Sequence, residues 1–160
     1  TETWGAFRAG RRAGALLERC GSNADGVEIV GSHDGYSRLP GAPLHRRTWL
    51  ITDGSIRIVD EVTGEGAHTL AAWLHIGDGD SVESAPGSQR FRTSNIEIKV
   101  DGTNVDCEVT PAGREPEGWI ASGFGERRPA PALVARTSGL LPLRMTTTIK
   151  TVTGMPTNYG

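Results

Sequence analysis

Apolar and polar positions alternate along this chain in short runs, and the period is that of strands. Residues 95–100 set Ile96, Ile98 and Val100 against Asn95, Glu97 and Lys99, the pattern of a strand with one wet face. Residues 47–52 and 55–59 are two further β-rich runs. They are joined by Asp53-Gly54, a pair that readily supplies positive φ and so predicts a hairpin. Within the second run Ile56 and Ile58 are expected to face the core, and Arg57 and Val59 the other side. Residues 63–66, Thr-Gly-Glu-Gly, predict a turn into a third strand over 69–76, so that three successive strands would form a meander.

The same reasoning predicts strands over 13–20, 27–32, 88–93, 105–109, 132–136 and 142–152, the last a Thr-rich run favoured in sheets. Gly10 and Gly14 argue against a helix at the start. Asp101-Gly102-Thr103-Asn104 is a second hairpin signal. Loops are expected over 21–26, over 37–44, where Pro40, Gly41 and Pro43 cluster, and over 111–118 and 124–131. Gly77-Asp78-Gly79-Asp80 reads as a turn, because the remaining ligand spacing of a calcium loop is missing. No stretch reads as a capped amphipathic helix. About ten to twelve strands at regular spacing predict an all-β antiparallel two-sheet sandwich, one domain over residues 1–152 with a tail over 153–160.

Composition agrees. With 22 Gly and 9 Pro in 160 residues, about a fifth of the chain is turn-forming. A net charge of −2 argues against a binder of nucleic acid that works by neutralising phosphates. No apolar run approaches the ~20 residues of a membrane-spanning helix. Cys20 and Cys107 are too few and too far apart for a zinc site or redox pair; they could form one disulfide, but two separately buried thiols are the preferred reading. Neither Met nor a signal peptide precedes Thr1, so the chain reads as a piece of something longer whose compartment is not legible.

Several spaced motifs, in order, resemble the heparinase II/III-like polysaccharide lyase family. They are Trp4-Gly5-Ala6-Phe7-Arg8, His33-Asp34-Gly35-Tyr36, His45-Arg46-Arg47, Asp60-Glu61, Gly64-Glu65-Gly66-Ala67-His68 with Trp73-Leu74-His75, Gly118 through Glu126, and Leu141-Pro142-Leu143. The resemblance implies the carboxy-terminal β-sandwich portion of an enzyme that joins an α/α toroid to such a sandwich. The parent would cleave a uronic-acid-containing polysaccharide, heparan sulphate, alginate or another, by β-elimination. The family's His-x-His-x-Asp and His-Asn-Thr segments, which carry an active-site histidine and metal ligands, have no counterpart here. The resemblance therefore implies no catalytic residue, metal or cofactor in this chain, and a periplasmic or secreted location if it is typical. Its partners would be an acidic polysaccharide and the toroid.

The candidate chemistry is sparse. His33, His45, His68 and His75 show no metal-ligand spacing. His33 and His45 are read as hydrogen-bonded residues at strand ends, with contact to substrate as the alternative. His68 is expected in a solvated turn and His75 near the rim. Tyr36 is read as a ring capping the sandwich. Trp4, Trp49, Trp73 and Trp119 could stack on sugars, but at these spacings three of the four are expected in the core. An Arg fork matches a uronate carboxylate bidentately, so Arg46, Arg47 and Arg38, and further off Arg127 and Arg128, are candidates, against ion pairing with Asp60 and Glu61. The substrate-groove candidates are thus Arg46, Arg47, His33, Tyr36 and Arg38. Strand alternation sends Arg46 and Arg47 to opposite faces, so at most one can face a groove. The rival readings are a stand-alone carbohydrate-binding module and a structural sandwich that has lost lyase activity.

Overall fold

The computed structural model describes Gly10, residues 12–77 and residues 81–152. The motif at Trp4–Arg8, the turn at 78–80 and the tail over 153–160 lie outside them. Twelve strands and no helix make up the described residues: β1 (Ala15–Asn23), β2 (Gly26–His33), β3 (Leu44–Thr52), β4 (Ser55–Thr63), β5 (Ala67–His75), β6 (Arg90–Arg92), β7 (Ile96–Gly102), β8 (Asp106–Thr110), β9 (Trp119–Ile120), β10 (Arg128–Pro129), β11 (Ala132–Leu140) and β12 (Leu143–Thr151). A seven-stranded sheet runs β1-β2-β3-β4-β12-β7-β6, a three-stranded sheet runs β5-β11-β8, and β9 and β10 form a small ribbon. All pairings are antiparallel. The fold is the expected all-β sandwich.

Alternation explains the core. Val62 of β4, Ile98 and Val100 of β7, and Leu143 and Met145 of β12 project from the large sheet. They meet Leu70 and Ala72 of β5 and Leu133 and Ala135 of β11. In β11 the four residues Ala132, Leu133, Val134 and Ala135 are all fully buried, the mark of a central strand covered on both sides.

The hairpin at Asp53-Gly54 forms, with Thr52 opposite Ser55. Only Gly54 takes positive φ, 71°; Asp53 does not. A Cβ at that φ is disfavoured, so Gly54→Ala should lower unfolding free energy by about 1 kcal/mol, read from a urea midpoint. An unchanged midpoint would mean the turn relaxes freely. Ile58 is half-buried on the core side as expected, but Ile56, at the hairpin end, stays exposed. Val59 leaves the outer face and is nevertheless buried, flanked by Thr48 and Thr146 on the adjacent strands.

Two sequence expectations fail for one physical reason: the chain changes sheets where a hairpin was expected. β5 does not continue the meander. Gly64 and Gly66, with φ of 130° and 83°, turn the chain across to the small sheet, where β5 pairs with β11, and β12 takes the vacant edge of β4. Similarly, β7 and β8 do not form a hairpin over residues 101–104. β7 pairs with β6 and β12, whereas β8 pairs with β11. The crossing is fixed by the Thr137 hydroxyl, which donates to Thr103 O at 2.6 Å.

Smaller corrections follow from strand length. β1 runs on to Asn23, through part of the expected 21–26 turn, and the expected loop over 124–131 contains β10. Cys20 and Cys107 are unlinked, but Cys20 is exposed on β1 rather than buried, and Cys107 is half-buried on the other sheet. None of the described tryptophans sits in the core: Trp49 and Trp119 are half-buried, and Trp73 is 50% exposed. Arg127 stacks over Trp119 at 4.0 Å, and Trp119 Nε1 is buried without a partner.

Candidate functional site

Register brings the site together. His33 at the end of β2 lies opposite His45 of β3, and Arg47 lies opposite Asp60 of β4. Alternation puts His45, Arg47 and Trp49 on the inner face of β3, with Asp60 and Val62 beside them on β4. Arg46 goes to the outer face, where it pairs with Glu18 at 2.8 Å and Glu61 at 3.2 Å.

The turns over residues 34–42 form a second wall. Gly14 N–H donates to Asp34 Oδ1 at 2.6 Å, Asp34 N–H to Gly14 O, Ser37 N–H to Asp34 O and Leu39 N–H to Tyr36 O. Gly41, with φ 80°, passes so close to Glu65 that a Cβ would collide with its carbonyl. His68 secures the same seam: its Nε2 lies 3.0 Å from Pro40 O and 3.2 Å from Glu65 O, so it must carry the proton and donate. His68 is thus a half-buried strand residue, not the solvated turn residue expected from sequence. His75 is exposed at the end of β5.

Between these walls lies a cavity of about 450 Å³, lined by His33, Tyr36, His45, Arg47, His68 and Trp73 among others. Tyr36 is 48% exposed, with its ring 5.2 Å from that of His33. Trp73 reaches the cavity from β5, across the sandwich.

A directed hydrogen-bond chain underlies the cavity. His33 Nδ1 lies 3.2 Å from the Gly35 N–H, His33 Nε2 lies 3.0 Å from His45 Nδ1, and His45 Nε2 lies 2.7 Å from Asp60 Oδ1. The backbone N–H can only donate and the carboxylate can only accept. Both imidazoles are therefore neutral with the proton on Nε2, and all four ring nitrogens have partners within the protein. Asp60, only 2% exposed, also accepts from Arg47 Nε at 2.6 Å. Burial pushes the Asp60 carboxyl up, and hydrogen bonds from His45 and Arg47 more than reverse this, leaving it below its ordinary value. Burial, then the neighbouring His45, holds the His33 imidazole below its ordinary value. Arg47 is 35% exposed, and its guanidinium lies 5.7 Å from the centre of the Trp49 ring.

Of the five sequence candidates, the structure gathers His33, Tyr36 and Arg47 around one cavity. Arg46 faces the other side, and Arg38 donates to Gly35 O at 2.5 Å outside the cavity lining. Arg127 is engaged with Trp119 and Glu115. The sequence reading did not single out Asp60 as an organising residue or place Trp73 and His68 beside His33. For Asp60 a signal existed: continuing the core face from Ile58 by twos reaches Asp60 and then Val62, a lone carboxylate in an apolar row. Among the described residues no group of three or more His, Cys, Asp or Glu is arranged to hold a metal ion.

Fold and site define an antiparallel β-sandwich with an arginine- and aromatic-lined groove, seated where two sheets and a turn meet. Residues 1–154 match the family model described as heparinase II/III-like, C-terminal, and the chain belongs to that family. Solved structures agree on the fold. A heparinase III, the BT4657 gene product, superposes with a TM-score of 0.70 at 16% identity, covering 86% of this chain and 21% of that one. The heparan sulfate lyase HepC from Pedobacter heparinus gives a TM-score of 0.65 at 14% identity, covering 89% and 22%. This chain thus spans about a fifth of the length of these structures. No curated protein matches it in sequence.

Proposed function

We propose that this chain is the non-catalytic sandwich wall of a lyase that cleaves a uronic-acid-containing polysaccharide by β-elimination, and that it buttresses an α/α toroid carrying the catalytic groups. The observation that carries the reading is Arg47, a cation at the floor of an aromatic-walled groove in a chain of this family. The similar structures, a heparinase III and a heparan sulfate lyase, support an acidic polysaccharide as the substrate.

β-Elimination removes the proton α to the uronate carboxylate, and the carbanion-like state forms only when the carboxylate charge is offset. Asp60 engages Arg47 through Nε, which leaves both Nη groups for a ligand carboxylate. Because Asp60 already balances that charge, Arg47 contributes direction as much as charge. The neutral His33 and His45 have no nitrogen free to act as base, in keeping with a supporting role for this wall.

Two outcomes test the proposal. In the intact parent enzyme, Arg47→Ala should lower turnover about ten- to a hundredfold, the equivalent of roughly 1.5–3 kcal/mol for a charge-assisted hydrogen bond. Arg46→Ala should leave turnover unchanged, since Arg46 faces away and pairs on the surface. Rates are compared per folded molecule, because Arg47 also partners Asp60. If both variants keep full activity, the groove lies elsewhere. The chain by itself should yield no ultraviolet-absorbing unsaturated uronate from heparan sulphate or alginate; a rise in absorbance would show that it carries its own catalytic groups.

A second reading is favoured by Tyr36 and Trp73, two half-exposed aromatics in one cavity. In that reading the chain is a carbohydrate-binding module, and titration calorimetry of the chain with uronate oligosaccharides should then show saturable binding that Trp73→Ala abolishes.

A further inference from the structure

The chain from Gly35 through His33 and His45 to Asp60 can hold one further proton in only one place. The link between His33 Nε2 and His45 Nδ1 needs one hydrogen and no more, and the link from His45 Nε2 to Asp60 is filled by another. A third proton on the pair must therefore sit on His33 Nδ1, opposite the Gly35 N–H that now donates to it. Two hydrogens then face each other across a 3.2 Å contact, and the hydrogen bond becomes a repulsion. Gly35 lies inside the turn that carries Tyr36 and Leu39 into the groove wall.

We propose that Gly35, His33, His45 and Asp60 form a proton-operated latch, in which one added proton on the histidine pair frees the residue 35–39 part of the groove wall from His33 while Asp34 stays bound to Gly14. The groups facing His33 decide where it operates. Asp34 and Arg38 lie on the turn itself, His45 and Arg47 on β3, Asp60 on β4, and His68 lines the same cavity from β5. Asp34 favours the extra proton, Arg47 and His45 oppose it, and Arg47 offsets Asp60. The depressed His33 value adds to this: the neutral chain is intact at neutral pH. Its stabilising contribution is complete above the ordinary histidine value of about 6.5 and is lost as pH falls below it. Acid therefore loosens the wall that holds Tyr36, while the sheet register beneath stays fixed.

The test uses the unmodified chain, followed by nuclear magnetic resonance from about pH 7.5 to about pH 4.5. At the upper limit, ring nitrogen shifts should report both histidines as Nε2–H tautomers. On acidification the Gly35 amide should shift with the same midpoint as the His33 ring, below about 6.5, and lose at least about tenfold in exchange protection. Asp60→Asn keeps an acceptor for His45 but removes the anion, so it should move that midpoint to lower pH. A Gly35 amide that stays constant while His33 titrates overturns the latch. So does a His33 found protonated on Nδ1 at the upper pH, or an Asp60→Asn midpoint that does not move. If that variant fails to fold, the two measurements on the unmodified chain still decide.

Discussion

Asp60→Ala should lower the unfolding free energy of this chain by about 3 kcal/mol, the low end of the range for breaking a buried ion pair from one side. The low end applies because Arg47, 35% exposed, can rehydrate once its partner is gone. His45, at 14%, is less able to do so and loses the acceptor that fixes its tautomer. For a chain of this size the melting temperature should fall by roughly 6–12 °C. Asp60→Asn, which keeps an acceptor, should cost less. Acid should reproduce part of the effect. The depressed carboxyl contributes stability that is complete above its ordinary value near 4 and is lost as pH falls through the lower folded value. A loss smaller than about 1 kcal/mol in urea would mean that the cluster holds nothing in place.

Leu133→Ala should cost a similar amount, about 2–5 kcal/mol, through lost burial and the cavity left behind. Leu133 is fully buried in the central strand of the small sheet and belongs to the core shared with the large sheet. Leu140, on the same strand but 75% exposed, provides the contrast: Leu140→Ala should stay within about 0.5 kcal/mol of the parent. Thermal melts followed by circular dichroism decide it, and equal effects at the two positions would contradict the placement of the core.

What was legible in the sequence was local. Gly54 announces a hairpin because one positive φ closes a two-residue turn, and Ile96, Ile98 and Val100 announce a strand because period two is a property of the strand alone. Partnership was harder to read. The residue 63–66 and 101–104 turns look like hairpins but carry the chain between sheets, since nothing in a turn states which strand it will meet. For that reason the sequence could group Arg47, His33 and Tyr36, which adjacent strands and one turn hold together. It could not add Trp73 and His68, which arrive from the opposite sheet. The tryptophans were misplaced for a related cause. Aromatic residues at one per strand suit a core, but here the core is filled by smaller side chains, and Trp73 is left at the groove.

The position of β12 also bears on how the chain is made. It is the last of the described strands in sequence, yet it lies between β4 and β7, with Ile149 opposite Ile56 on one side and Ile98 on the other. As synthesis proceeds, β1 to β4 can assemble early, and β6 with β7 can wait beside them. The two halves share no hydrogen-bonded edge until Leu143–Thr151 has emerged. Pairings that reach so far back along a chain close slowly, and until they do the flanks of β4 and β7 stand open to neighbouring chains. Loss of residues 143–151 would therefore split the large sheet in two rather than trim its edge.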